Sequence, residues 1–433
     1  MNSKLKRIIT MVFGIFLILI ISFYYPNFYF NQDRSNNELL NPGDRNLKIA
    51  AGDWENEIKK NVGPEPTSVF VGDANNDGYN DILTANWGGN AYSVILWNPV
   101  NNDWDFHFYR VVGIRPYSVF VEDANNDDFN DIVVSNSADR DVSITLWNET
   151  EGDWDDQIRR SVGWLPRSVF IGDADNDGFN DIVTSNANDN NVSILLWNGT
   201  DWDPEITRSV GVGPYSVFVG DANNDGLNDI ITANILDATV SILSWNTTLV
   251  DWDSQLTTYA GSTPRSVFVG DANNDGYNDI ITASQSGEYV SILIWNPLFK
   301  NWSWPYFLSN INGAYSAVIG DIDNDGLNDI VTTETHSSRI AIFLWDINLG
   351  NWSTRISKNV GSGPESIFIG DANNDEYNDI VIANRWDDEI SIFLWHEKTK
   401  KEQVIPSYNL AIILGLLCII SIILIKKRLK SNI

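Results

Sequence analysis

Gly72-Asp73-Ala74-Asn75-Asn76-Asp77-Gly78-Tyr79-Asn80-Asp81-Ile82 is the stretch on which the fold turns. It recurs with small changes. Its first aspartates stand at Asp73, Asp123, Asp173, Asp221, Asp271, Asp321 and Asp371, at spacings of 50, 50, 48, 50, 50 and 50 residues. Two sets of tryptophans keep the same step. One closes an apolar run at Trp97, Trp147, Trp197, Trp245, Trp295, Trp345 and Trp395; the other opens the following segment at Trp54, Trp104, Trp154, Trp202, Trp252, Trp302 and Trp352. Seven members in each set define a seven-unit array.

Each unit predicts four short strands. In the third they run over about Arg167–Gly172, Asp181–Ser185, Val192–Trp197 and Ile206–Val210, rich in Val, Ile and Phe, with Asn, Asp and Gly at the bends. No window carries a ten-residue helical period. Four strands per unit, seven times over, predict an all-β fold, a seven-bladed β-propeller of four-stranded blades. An open β-solenoid is the alternative, but its coils are usually shorter. The order of the parts favours a ring. The Trp54 segment precedes the first aspartate loop, and no matching segment follows Trp395. The N-terminal strand can therefore complete the last blade beside Ser391–Trp395 and remove a free sheet edge.

An apolar content of 43% in 433 residues excludes a wholly disordered chain. Charge excludes more. Lys and Arg total 28 against 58 Asp and Glu. Seven of the bases (Lys4, Lys6, Arg7, Lys426, Lys427, Arg428 and Lys430) lie in acid-free end segments, leaving 21 bases against 58 acids, a net of −37, over 26–403. Such a body repels nucleic acid and attracts cations, so no nucleic-acid partner is expected. The single Cys418 leaves no intrachain disulfide and no thiolate zinc site.

The ends predict a compartment. Residues 1–25 read as a signal anchor or signal peptide, with an apolar run from Ile8 to Tyr25 behind three basic residues. Residues 26–45 form a polar tether, 46–403 the propeller, 404–425 a C-terminal transmembrane helix and 426–433 a basic cytoplasmic tail. Positive charge stays inside, so both termini are expected in the cytoplasm and the propeller outside the cell membrane, unless either end is processed. A sorting signal exchanged for a lipid is the alternative for the C-terminal segment.

The loop Asp73 to Asp81, set between two strands, resembles the calcium loop of FG-GAP/VCBS-type repeats, the blades of integrin-α-like propellers. The resemblance covers about 46–403. It implies a seven-bladed propeller with calcium in the hairpin joining the first and second strands of each blade. The chemistry points the same way. Calcium takes six to eight hard oxygen ligands, and oxygens at loop positions 1, 3, 5, 7 (a main-chain carbonyl) and 9 converge when position 6 turns left-handed. In blade one these are Asp73, Asn75, Asp77, Tyr79 and Asp81. The equivalents are Asp123, Asn125, Asp127, Phe129 and Asp131; Asp173, Asp175, Asp177, Phe179 and Asp181; and Asp221, Asn223, Asp225, Leu227 and Asp229. Asp271, Asn273, Asp275, Tyr277 and Asp279 follow, then Asp321, Asp323, Asp325, Leu327 and Asp329, and finally Asp371, Asn373, Asp375, Tyr377 and Asp379. Up to seven structural Ca2+ ions are expected. An EF-hand is excluded, since no helices flank the loop and Thr84 stands where its Glu would be. Asp128 and Glu376 replace the position-six glycine in blades two and seven, and the Glu376 site is expected to be the weaker.

At about 1 mM calcium and extracellular affinities of ~10⁻⁴–10⁻³ M, each site would contribute roughly 0.4–1.4 kcal/mol. Seven would contribute about 3–10 kcal/mol, comparable to the stability of a domain. Catalysis has little to rest on. There are three histidines (His107, His336 and His396), no nucleophile motif and no inserted domain. A surface hydrolase or lyase is the remote alternative.

A binding or adhesion module for an extracellular protein or glycan is the leading expectation, with a surface-lattice or scaffold role next. The acidic hairpins share a face with the loops that carry sequons at Asn148, Asn198, Asn246, Asn301 and Asn351; Asn191 is a sixth. The opposite face is expected to gather Trp87, Tyr92, Arg115, Trp164, Arg265, His336, Arg385 and Trp386 as a ligand surface, with Trp87 and Trp386 becoming neighbours when the ring closes. Oligomeric state is not legible.

Overall fold

The computed structural model describes residues 52–397 apart from 354; the signal or anchor segment, the tether, the C-terminal apolar run and the basic tail lie outside them. Among the described residues the fold is all-β, and no helix is long and apolar enough to cross a membrane.

Seven four-stranded antiparallel sheets form the blades. The innermost strands are Pro66–Gly72, Pro116–Glu122, Pro166–Gly172, Pro214–Gly220, Pro264–Gly270, Ala314–Gly320 and Pro364–Gly370. Blade three shows the pattern, with Pro166–Gly172, Asp181–Asn186, Asn191–Leu195 and Ile206–Ser209 each pairing with the next. Expected strand ends hold to within two residues; the third strand stops at Leu195, and Trp197 beyond it pairs with Trp202 as an isolated bridge.

Burial explains the composition of each strand. The second strands are buried at every position because blades pack on both of their faces. Between an opening Asp and a polar last residue they accordingly read as apolar or small residues rather than alternating ones. The outer strand Ile206–Ser209 alternates half-buried with exposed residues, as a strand with one wet face should. Apolar clusters lie between neighbouring blades, such as Val183, Ile194, Val217 and Leu243 between blades three and four.

The ring closes as the tryptophan count predicts. Ile58–Asn61 is the fourth strand of blade seven, with Ile58 opposite Ile392 and Lys59 opposite Ser391. Gly52–Trp54 pairs with Trp395–Glu397 beside it. Two sets of polar contacts stitch the blades together. A serine stands third in every inner strand, and at four of them, Ser68, Ser216, Ser266 and Ser366, the hydroxyl accepts from the next blade, as Ser68 does from the Val119 amide at 3.4 Å and Ser366 from the Val69 amide at 3.2 Å. In the acidic loops, the Asn76 amide oxygen accepts from the Asn130 main chain at 2.8 Å, and Asn130 Nδ2 donates to the Asp73 carbonyl at 2.9 Å. Asn374 and Asn80 repeat the first contact at 2.7 Å across the junction of the last and first blades. Asn76 sits at φ 56°, a left-handed conformation that Asn tolerates better than most residues.

Along the axis a belt of aromatic rings fills the channel. Phe70 contacts Phe120 and Phe368 with centroids 4.6 and 4.8 Å apart, and the belt continues through Phe170, Phe218 and Phe268. Val318 takes the place in blade six.

Candidate functional site

Two sets of residues stand apart from the packing, one on each face. The acidic loops occupy the first. In blade one, Asp73 accepts through Oδ1 from the Asp77 amide at 3.0 Å and through Oδ2 from the Gly78 amide at 2.9 Å. Asp77 accepts from the Tyr79 amide at 3.0 Å. Asp81 is fully buried and accepts from the Ala74 and Trp97 amides at 3.2 and 2.8 Å. These bonds fold the side chains of positions 1, 3, 5 and 9 into one small volume. The carboxylates of Asp173, Asp175 and Asp177 come within 4.8 Å of one another, as do those of Asp321, Asp323 and Asp329. That spacing lets three oxygens hold one divalent cation.

Two of these loops hold oxygens that their own hydrogen bonds leave unsatisfied, and burial acts on all seven. The buried oxygens Asn223 Oδ1 and Asp323 Oδ1, both at position 3, have no partner. Burial, aided by neighbouring carboxylates, pushes the position-nine aspartates up to about 7 at Asp81, Asp131, Asp181, Asp229, Asp279 and Asp379, and to about 8 at Asp329. The donor set, all hard oxygen, fits calcium or another hard cation. Asp128 and Glu376 hold φ 72°, against 88–95° for the glycines of the other five loops, so both keep the left-handed turn.

The second set surrounds the channel mouth on the opposite face. Its signal lies in the most variable position of the inner strand, just before the constant serine, which reads Thr67, Tyr117, Arg167, Tyr215, Arg265, Tyr315 and Glu365 around the ring. The hydroxyls of Tyr117, Tyr215 and Tyr315 hydrogen-bond one another in a triangle, at 2.7 Å for Tyr117–Tyr315 and 2.9 Å for Tyr215–Tyr315. Burial raises the Tyr117 and Tyr315 hydroxyls well above the ordinary range, so these two stay protonated. Arg167 lies over Tyr117 and Tyr215, at 4.4 and 5.1 Å from the ring centroids. Arg265 lies over Tyr215 and Tyr315, at 4.7 and 4.4 Å. Glu365 binds Arg385 at 3.0 Å, and Glu65 binds the other side of that guanidinium at 2.9 Å. Burial opposes the Arg385 charge, but the Glu365 and Glu65 carboxylates outweigh it and raise its pKa.

Above the tyrosines opens a cavity of about 410 Å³, whose wall includes Trp87, Arg115, Arg265, His336, Arg385 and Trp386 from the expected ligand surface. Trp87 lies between Arg115 and Arg385, 4.6 and 5.0 Å from its ring, which brings blades one, two and seven to one point. Two expected members are elsewhere. Tyr92 lies within the strand Ala91–Asn98 rather than on a loop, fully buried between blades one and two, and is not part of any surface. Trp164 is 44% exposed but stacks under Arg140 at 3.7 Å, outside the cavity wall.

A family model described as FG-GAP-like repeat matches residues 173–232, 223–282, 271–332 and 321–382. The chain is an FG-GAP-repeat β-propeller. The matched description is FG-GAP-like and does not extend to the VCBS type. The FG-GAP propeller is similar in fold to BBS1N, solved in complex with ARL6DN and soaked with lead, with a TM-score of 0.56, 10% identity, and coverage of 81% of this chain and 99% of that one. It is similar also to hydrazine synthase of Kuenenia stuttgartiensis, with a TM-score of 0.54, 14% identity, and coverage of 77% and 96%. No curated protein matches it in sequence. As an FG-GAP propeller it has the fold of a ligand-binding or adhesion-type module.

Proposed function

We propose that this FG-GAP propeller is a membrane-anchored, extracytoplasmic binding module, braced by calcium in its acidic loops and taking its ligand in the channel mouth. The observation that carries this reading is the cavity of about 410 Å³, walled by arginine and tryptophan from several blades, on the face away from the acidic loops. Its size is that of small-molecule sites. The chain ends support the orientation. Trp395, in the last described strand, donates its amide to Asp379 of an acidic loop at 2.8 Å, and Gly52 pairs with Glu397 beside it. Both ends therefore leave the ring on the acidic-loop face, and only ten residues separate Glu397 from the apolar run that opens at Tyr408. A membrane-proximal acidic-loop face leaves the mouth pointing outward. Binding is preferred to hydrolysis or lyase chemistry because Glu365, the cavity's carboxylate, is tied to Arg385.

The test presents the detergent-solubilised full chain, with calcium and with chelator, to arrays of glycans and peptides. Ligands bound by the native chain and lost in both Arg115→Gln and Trp386→Ala support the module. If the native chain binds nothing, or both variants keep every ligand, the mouth is not a binding site. Protease added to intact cells should reach the propeller and spare tags at both termini; cleavage of either tag would contradict the two-anchor topology.

A further inference from the structure

Resting on the reading of the mouth as a ligand site, we propose that its ligand is a negatively charged saccharide, whose anionic group is held by Arg115, Arg167 and Arg265 while a sugar ring packs against Trp386.

The charge distribution is the first argument. The chain carries 58 acidic residues against 28 basic ones, yet the cavity wall holds four arginines and one carboxylate, Glu365. That carboxylate is engaged by Arg385. Among the described residues, no ion pair involves Arg115, Arg167 or Arg265. Arg167 Nε is a buried donor without a partner. Arg265 donates its hydrogen bonds to neutral groups, the Tyr315 hydroxyl at 3.0 Å and Gln285, and feels the Glu365 carboxylate only through space. Clustered guanidinium groups repel one another, and the tyrosine faces beneath Arg167 and Arg265 offset part of that cost. An anion above them would offset the rest and supply the acceptor that Arg167 lacks. The tyrosine triangle holds both side chains in place before a ligand arrives, which lowers the ordering cost of binding.

The wall chooses the class. Between the arginines stand Ser137, Gln285, Thr335 and His336, a polar lining suited to hydroxyls rather than to an apolar side chain. Trp386 is 62% exposed at the rim, an open aromatic face of the kind a pyranose covers. Each inner strand ends its sheet, but main-chain amides along its free edge, those of Val69, Val119, Val267 and Ala317, already donate to serine hydroxyls of the neighbouring blade, and the edge at Glu389–Phe393 is covered by Ile58–Asn61. An extended acidic peptide therefore lacks the main-chain contacts it would use. The body's negative charge does not forbid approach, because at physiological salt a Debye length of about 8 Å leaves the local arginines dominant at the mouth.

The test is calorimetric titration of the full chain in detergent at millimolar calcium. The probes are a uronic-acid oligosaccharide, a sulfated oligosaccharide of equal length, the carboxyl-reduced neutral form of the first, and a glutamate-rich peptide. We expect one or both charged saccharides to bind, and the two arms to show whether carboxylate or sulfate is preferred. The neutral form should bind at least about ten-fold more weakly, since each lost charge-assisted bond is worth about that factor. Arg167→Gln should weaken binding about ten-fold. Arg115→Gln, on an exposed loop outside the tyrosine triangle, should do so with only a small change in the melting temperature, from the lost stacking on Trp87. Added salt should weaken the charged saccharides and not the neutral one. Equal binding of the neutral form, or binding of the peptide alone, overturns the charged saccharide while leaving the mouth a ligand site. Binding unchanged in both arginine variants, or no binding of any probe, overturns it as well.

Discussion

Trp54 and Trp395 meet edge to face, with ring centroids 4.9 Å apart at 74°, from opposite ends of the ring. Within the other blades the same contact joins residues close in sequence, as in Trp97–Trp104 at 4.9 Å and Trp197–Trp202 at 4.8 Å. The closing pair thus reproduces between distant segments what six blades make locally. Such pairs contribute about 0.5–1.5 kcal/mol beyond their buried area. Here the contact also clasps the first segment over a sheet edge that would otherwise be open.

The clasp can be locked. Asn61 lies directly opposite Glu389, so cysteines at these two positions should crosslink under mild oxidation and raise the melting temperature. The exposed Lys59–Glu389 ion pair is lost, at little cost. Deleting 46–63 instead should cause aggregation, while deleting 26–45 should not. A truncated chain that stays stable and monomeric would show that closure is dispensable.

Calcium removal should loosen the ring. Chelator should lower the melting temperature substantially, with magnesium restoring little because it demands near-octahedral geometry. Asp323→Ala removes the position-three oxygen that has no protein partner, and should reduce the stabilisation by calcium by about one site's share, roughly 0.4–1.4 kcal/mol. A melting curve indifferent to chelator would refute structural calcium.

Without metal, stability should fall as pH rises. The seven position-nine aspartates titrate at about 7 or 8 in the fold, against an ordinary 3.8. Between about pH 4 and 7 the folded chain therefore holds protons that the unfolded chain has released, and each upward step in pH costs it stability. Thermal melts in chelator should give a higher midpoint at pH 5 than at pH 8. Calcium, which replaces the protons, should erase or reverse that order; a chelated protein more stable at pH 8 contradicts it.

Glu376→Gly should stabilise blade seven. Glu376 holds φ 72°, where a side chain costs roughly 1–2 kcal/mol that glycine avoids. The gain should appear in denaturant melts as about 1 kcal/mol, and Asp128→Gly should gain less, because Asp accepts this conformation more readily. A loss on either change would mean that the side chain makes a contact worth more than the strain.

Much of this was legible in one dimension. The even spacing of Asp73 to Asp371 determined the number of blades, the alternation between bends and Val/Ile runs determined four strands in each, and the surplus Trp54 segment determined closure. All are local or periodic signals, and strand pairing within a blade links residues near in sequence. The acidic loops belong to the same class, since nine consecutive residues build each one.

The channel mouth does not. Tyr117, Tyr215 and Tyr315 are about 100 residues apart in turn, and only the ring brings their hydroxyls together. One clue was present, a variable residue before each constant serine. Its meaning depends on which side of the inner strand faces the axis. Tyr92 shows the same limit from the other side. Next to a bend it reads as a loop residue, but strand pairing runs on to Ala91 and the neighbouring blade covers the ring. The sequence by itself determined the repeat, because period and pairing are short-range. Only the tertiary structure decided which side chains converge on the axis, because that depends on the orientation of seven blades closed upon one another.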